Sequence, residues 1–235
     1  MGEAATRNWA GNVRYSASRV VAPRTVEEAQ ALVAETPRIR ALGTRHSFTR
    51  VADFDGVLLS TEHLNGIADV GERTVTVEAG IRYGELGSAL RVNDLAVANF
   101  ASLPHISVGG AVATATHGSG VRNPSLASAV AEIELIDADG ELLTLRRGER
   151  DFDGAVVSLG ELGVVARVTL EVVPEFELRQ YVFERLSWDA PLDQVLGAAY
   201  SVSLFTMWTD AGIDQVWVKT TDELSTFHDA SLATV

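Results

Sequence analysis

Cysteine is missing from all 235 residues. Its absence excludes disulfides, thiolate zinc sites, a thiol nucleophile and any cofactor tethered through sulfur. Cationic charge is scarce too: 19 Lys and Arg stand against 32 Asp and Glu, for a net −13. A chain of that sign lacks the basic footprint that phosphate backbones need, which argues against nucleic acid as a partner and against an anionic membrane surface. A neutral, polyhydroxylated ligand is compatible with it. No apolar run approaches the roughly 18 residues of a membrane span. The segment Met1–Arg7 carries an early acid and no apolar stretch, so no secretory signal is read and a cytoplasmic protein is expected.

A 46% hydrophobic content provides for a proper core. The most informative stretch is Ser107-Val-Gly-Gly-Ala-Val-Ala-Thr-Ala-Thr-His-Gly-Ser-Gly120, nearly all glycine, alanine and hydroxyl side chains. Such residues fill little core but let backbone approach a ligand closely, with N–H groups open to an anion. No Gly-x-Gly-x-x-Gly follows a strand here and no Gly-Lys-Ser/Thr closes the stretch, so neither a nicotinamide fingerprint nor a P-loop is present. Tight helix packing would explain the Ala and Gly but not the cluster Thr114, Thr116, His117 and Ser119. The wall of a phosphate-bearing cofactor explains both.

Hydropathy patterning predicts strands over 13–21, 39–43, 57–60, 74–78 and 95–98, with helices at 26–33 and 83–92. Thr25 and Glu28 fit a capping box ahead of the first helix. A hairpin is expected over 131–145 through Asp139-Gly140, then a short helix in 151–159 and a strand over 162–173. Pro174 marks a domain boundary. Beyond it come a strand (178–186), a helix (192–200) and two strands (203–208 and 215–219), with an irregular, disordered tail from Thr220. The histidines at 46, 63, 105, 117 and 228 show no metal-ligand spacing, so no metal is expected. Gly118-Ser119-Gly120 is not a nucleophile elbow, and Asp137 and Asp139 read as turn residues rather than a glycosidase pair.

His46 is expected on a loop at a strand's C-terminal end, where α/β ligands collect, although a lone loop histidine is usually just solvated. Leu42-Gly-Thr-Arg-His-Ser-Phe48 together with Ala101-Ser-Leu-Pro-His-Ile-Ser-Val-Gly-Gly110 and Thr116-His-Gly-Ser-Gly120 resembles the flavin-binding domain of the vanillyl-alcohol oxidase superfamily, in particular its alditol oxidase and xylitol oxidase branch. The similarity runs from Asn8-Trp-Ala-Gly-Asn12 to about Lys219. It implies an α+β fold: a two-subdomain PCMH-type FAD-binding domain over residues 1–174, followed at 175–235 by the start of an α/β substrate domain. Because family members continue much further, the resemblance also implies a truncated or reduced substrate domain.

The resemblance assigns residues to FAD. His46 would bond covalently to the flavin 8α-methyl, which needs an unprotonated imidazole; the alternative is a histidine that only hydrogen-bonds the cofactor. Leu42, Gly43, Thr44, Arg45 and Ser47 would surround the diphosphate. Arg45 stands where some relatives have glycine, either balancing phosphate charge or facing solvent. Ser107, Gly110, Thr114, Ala115, Thr116 and His117 match the second flavin wall; Ala115 replaces a common glycine, tolerable if its φ is negative. His117 would bond the cofactor or close its own loop. Ser102 matches a serine near flavin and substrate, or is a plain turn residue before Pro104. The backbone of Val164 and Val165 after Gly163 would touch the adenosine part, as any buried strand of this composition also reads.

The implied activity is FAD-dependent oxidation of a polyol CH–OH, as in xylitol or sorbitol, with molecular oxygen as acceptor and an aldose and hydrogen peroxide as products. The alternatives are a D-arabinono-1,4-lactone or L-gulonolactone oxidase, an FAD-binding fragment without turnover, and a plain structural domain. No segment matches the family's substrate-binding cluster, so the general base is unassigned.

Overall fold

The computed structural model describes residues 7–233. The N-terminal segment read above as lacking a signal lies, but for Arg7, outside the described residues, as do the last two residues of the tail. The chain forms two compact units: residues 1–116 with 125–174, and residues 117–124 with 175–235.

The first unit opens on a β-α-β arrangement of β1 (Arg19–Val21), α1 (Val26–Glu35), β2 (Ile39–Leu42) and β3 (Val57–Ser60). The three strands form a parallel sheet in the order β1-β3-β2. The middle strand β3 is buried throughout, which accounts for its unbroken apolar run Val57-Leu-Leu59. Thr25 Oγ1 caps α1 by accepting from Glu28 N at 3.1 Å, and Glu28 Oε2 reaches back to Arg24 N at 2.7 Å. Val26, Ala29 and Val33 then share one buried face, packed with Leu59 and Leu64. The first strand is shorter than expected. Val13 and Tyr15 are buried beneath Leu42 and Leu58, but residues 13–18 stay outside the strand, the Val13 N–H going to Asn8 Oδ1 and the Ser16 N–H to Asp53 Oδ1 instead of to a strand partner.

Next come β4 (Ile67–Val70), β5 (Thr74–Glu78), α2 (Tyr83–Arg91), β6 (Leu95–Ala96), α3 (Val108–Ala113), β7 (Val130–Ile136), β8 (Leu142–Arg146), α4 (Phe152–Val156), β9 (Val164–Glu171) and β10 (Val173–Pro174). Five of these strands make an antiparallel sheet in the order β4-β5-β9-β7-β8, while β6 pairs with β10. Strand β4 gave no pattern because it is an edge exposed along its whole length. The hairpin turns at Gly140, φ +82, and Asp137 Oδ1 accepts from Asp139 N and Glu141 N, so these acids serve the turn as read. Helix α2 buries Tyr83, Leu86 and Leu90. Burial pushes the Tyr83 hydroxyl far above its ordinary value. Helix α3 packs so tightly that a Cβ on Gly109 would lie 2.7 Å from Ala79 Cβ, so part of the glycine–alanine stretch does serve packing.

The second unit holds β11 (Arg179–Leu186), α5 (Leu192–Gly197), β12 (Ser201–Phe205), β13 (Ile213–Thr220) and β14 (Ser231–Leu232), with an antiparallel sheet in the order β12-β13-β11-β14. Phe183, Leu186, Val195, Val202, Ile213, Val216, Val218 and Phe227 build its core. The tail corrects the expectation of disorder: Phe227 is buried, and Ser231 and Leu232 pair with Glu184 and Phe183. Phe227, with Leu224 and Ala230 packed beside it, and the backbone pairing of β14 bind a polar segment to the sheet edge. Residues 117–124 join this unit through Arg122, whose guanidinium donates to Gly197 O and Ala199 O, and through Asn123, which donates to Ser119 O and Tyr200 O. Ser119 and Ser201 share a hydroxyl–hydroxyl hydrogen bond. Among the described residues no helix is long and apolar enough to cross a membrane.

At Gly80 a Cβ would fall 1.7 Å from Thr61 O and 2.7 Å from Leu64 O. Backbone cannot yield as a flexible side chain can. Gly80→Ala is expected to destabilise the chain by about 3 kcal/mol or prevent folding, read from the urea midpoint.

Candidate functional site

The first unit contains a cavity of about 540 Å³ at the C-terminal ends of β2 and β3. That is where a parallel sheet leaves room, since its strands end and its connections diverge. The loop after β2 contributes Leu42 to His46, the end of β3 and the loop after it contribute Ser60, Thr61 and Glu62, and the junction between β5 and α2 contributes Gly80, Arg82 and Glu85. His105 and Ser107, from the segment leading into α3, complete one wall, with Trp9 beside them.

The two motif segments meet through backbone. Ser107 N donates to Thr44 Oγ1 at 3.1 Å. A Cβ on Gly43 would sit 2.8 Å from Ser107 Oγ and 3.6 Å from Gly110 Cα, so this approach requires glycine. Arg45 adopts φ +65: the chain keeps the backbone shape that a glycine would take freely and carries the strain on an arginine. Residues 8–12 brace the loop from outside. Trp9 N donates to Arg45 O at 2.8 Å, Asn8 Nδ2 donates to Ser47 O and Asn12 Oδ1, and Asn12 Nδ2 donates to Phe48 O.

Inside this brace the polar atoms lack partners. Both ring nitrogens of His46, His105 Nε2 and Ser107 Oγ are buried with no hydrogen bond. Buried polar atoms without partners are rare, and here four line a single cavity. The His46 ring stacks on Trp9 at 5.2 Å and lies 4.5 Å from His105, centroid to centroid. Burial first, then the neighbouring His105, hold the His46 imidazole below its ordinary value against the pull of the Thr44 backbone, with Arg45 and Arg82 adding smaller pushes in the same direction. It is therefore neutral near pH 7, with a lone pair on one nitrogen. Arg45 and Arg82 supply positive charge to the wall; Glu85 Oε2 accepts from Arg82 N, fixing the start of α2.

Leu42, Gly43, Thr44, Arg45, His46 and Ser107 line the cavity together. Gly110 lies directly behind Gly43. The other candidates stand elsewhere. Ser47 faces Asn8, and Ser102 is exposed away from the lining. Thr114 Oγ1 bonds to Gly110 O and to Thr116 Oγ1, and Thr116 N donates to Ala111 O, so these residues close the end of α3. Ala115 has φ +50, so the negative φ that would suit alanine is not adopted and this residue too carries strain. His117, in the second unit, has Nδ1 on Gly118 O and closes its own loop. Val164 and Val165 are buried in β9, paired with Ile136 and Leu135. Gly163 at φ +148 permits that pairing, since a Cβ there would meet Ile136 O at 2.2 Å.

Sequence reasoning had not assigned Trp9, Ser60, Thr61, Arg82 or His105 to the site. Trp9 and His105 stood inside the quoted motifs; Ser60 ends β3, and Thr61 and Arg82 come from turns with no composition signal. Among the described residues no cluster of three or more metal-ligating side chains occurs.

Since the folded chain binds the His46 proton less readily than the unfolded chain, stability from this group is complete above the ordinary value of 6.5 and falls as pH drops through the lowered folded value. Urea unfolding between about pH 8 and about pH 5 is expected to show this loss, and His46→Gln to remove that part of it. The Ser107 hydroxyl, buried without a partner, burdens the ligand-free chain. Ser107→Ala is expected to raise its stability by about 1 kcal/mol, measured as a shift in midpoint.

Comparison with known proteins gives this geometry a context. The chain is 48% identical over 239 residues to alditol oxidase of a Streptomyces species, covering 98% of this chain and 58% of that protein. It is 39% identical over 180 residues to L-gulono-1,4-lactone dehydrogenase of Mycobacterium tuberculosis, covering 74% of this chain and 42% of that protein. The chain thus spans about half the length of the relatives it matches. In fold it is similar to cholesterol oxidase from Brevibacterium sterolicum, with a TM-score of 0.75 at 22% identity over 91% of this chain and 46% of that one. The family described as FAD binding domain matches residues 17–146, more than half of the sequence, and the chain belongs to that family.

Proposed function

We propose that the chain is the flavin-binding part of an oxidase that oxidises a polyol CH–OH with molecular oxygen, and that His46 holds FAD covalently. One observation carries this reading: a neutral histidine with two unpartnered ring nitrogens stands in a cavity beside two further unpartnered polar atoms. The residues fit the group. Gly43 and Ser107 bring backbone close enough to line a diphosphate, and Arg45 and Arg82 oppose its charge. Ser107 Oγ offers a hydrogen bond that the protein itself does not use. FAD, when bound, supplies the two-electron acceptor for the substrate. The His46 ring packs in a triangle with the rings of Trp9 and His105, and the braced loop keeps it in place.

The substrate class rests on the 48% identity to alditol oxidase, against 39% for the lactone dehydrogenase. A sugar lactone is the second reading, favoured by the relatives that share the same flavin region, among them D-arabinono-1,4-lactone oxidase of Eremothecium gossypii at 30% identity. We take the FAD domain as residues 1–174 and residues 175–235 as the start of a substrate domain, which leaves the proton-accepting group unassigned. A cytoplasmic site of action is in keeping with a chain of no cysteine.

The test is flavin fluorescence on SDS-denatured protein, alongside peroxide release from xylitol, sorbitol and L-gulono-1,4-lactone. Fluorescence is expected to stay with the wild-type band and vanish in His46→Ala. Flavin released from the wild type on denaturation would remove the covalent bond. Peroxide from the lactone and not from the polyols would reverse the choice of substrate.

A further inference from the structure

A second imidazole stands where the proposed function assigns no chemistry. His105 lies 4.5 Å from His46 between ring centroids, tilted by 60°, and its Nε2 is buried with no hydrogen-bond partner. His46 is also stacked on Trp9, which lies 6.0 Å from His105 as well, so the three rings form a triangle; the indole N–H donates and does not accept. Beside His105, Arg45 and Arg82 also act on His46, and neither guanidinium can give or take a proton near neutral pH. Glu62 and Glu85 also line the cavity, but Glu85 is held by Arg82 N and Glu62 is exposed. Of the groups around His46, His105 alone joins ring proximity to an unengaged nitrogen able to accept a proton.

We propose that His105 is the positioning and proton-accepting partner that readies His46 for attachment to FAD, an inference that rests on the covalent reading above. A neutral imidazole can attack only through its bare nitrogen, and the adduct stays cationic until the proton on the other nitrogen departs. In the step, the bare nitrogen of His46 bonds to the 8α carbon and one 8α C–H bond breaks. The proton on the other His46 nitrogen passes to His105. The electron pair of the broken C–H bond stays on the isoalloxazine, which is thereby reduced, and the 8α proton together with the proton relayed through His105 completes the dihydro ring. Dioxygen, the co-reactant, then takes two electrons and two protons as hydrogen peroxide and restores the oxidised ring. No hydrogen bond joins the two imidazoles in the ligand-free chain, so a bridging water or a turn of either ring completes the path.

The experiment follows attachment itself and not turnover. The 235-residue chain is prepared free of flavin and mixed with FAD in air, and fluorescence retained by denatured protein is followed in time. Non-covalent binding is measured in parallel by gel filtration. His105→Ala is expected to bind FAD yet attach it roughly a hundredfold more slowly, the scale of a lost general base. Added imidazole should restore much of the rate in His105→Ala, because it can enter the space left by the ring. His105→Gln, which keeps bulk and a hydrogen bond but accepts no proton, should stay slow and serves if the alanine variant fails to fold. Attachment at the wild-type rate in either variant overturns the inference. So does a slow rate that imidazole leaves unchanged and that follows an equal loss of FAD binding. Wild-type protein that holds FAD but releases all of it on denaturation overturns the covalent reading and this inference together, which separates that failure from a failure of His105 alone.

Discussion

The site depends on one close approach of backbone to backbone: the loop leaving β2 at Gly43 against the segment entering α3 at Ser107. That segment is fixed independently. Tyr83 N donates to Ile106 O, Val108 N to Ile81 O, and Gly109 N to Ala79 O, which tie it to the end of β5 and the start of α2. The parallel sheet thus delivers a loop, the antiparallel sheet delivers a platform, and Gly43 lets them meet within reach of the Ser107 N–H and Thr44 Oγ1 bond. His46 and His105 face each other as a result. A methyl group at position 43 would separate the two layers at the one place where both supply polar atoms.

The polar groups around this junction fall into two populations. Those on the outside are satisfied: Asn8 uses its amide and its carbonyl oxygen to bind Asn12, Ser47 and Val13. Those facing the cavity are not, as His46, His105 and Ser107 show. Each unsatisfied buried group costs about 1–3 kcal/mol, and a chain selected for stability alone has no use for four of them in one place. The rigid frame and the unmet hydrogen bonds belong to one arrangement, in which the protein holds geometry fixed and leaves bonding capacity for another molecule.

Much of the first unit was legible because burial writes periodicity. Helix α1 showed its cap at Thr25 and its face at Val26, Ala29 and Val33, and β3 and β5 showed runs that match their burial. Strand β4 was invisible because an exposed edge imposes no pattern. The tail misled for the opposite reason, since Phe227, with Leu224 and Ala230, anchors it among residues that read as solvent-loving. At the site, the loop from Leu42 to His46 and Ser107 were legible through glycine and histidine in a specific order. Arg82 and Thr61 were not, since they arrive from turns whose conformations depend on tertiary contacts, and Ser60 read only as the end of β3. The positive φ of Arg45 and Ala115 was hinted at only by the glycines that relatives carry there, because both residue types ordinarily avoid it.

The chain leaves its first unit at residue 117, joins the second for eight residues, and returns at 125. This detour has a bearing on the order of assembly during synthesis. When Pro174 has left the ribosome, every strand of the first unit is available, yet Arg122 and Asn123 still await the carbonyls of Gly197, Ala199 and Tyr200. The loop is therefore a debt carried by the early fold until later residues emerge. It also makes the two units inseparable by a single cut, since a break at any one peptide bond leaves one of them with a piece of the other.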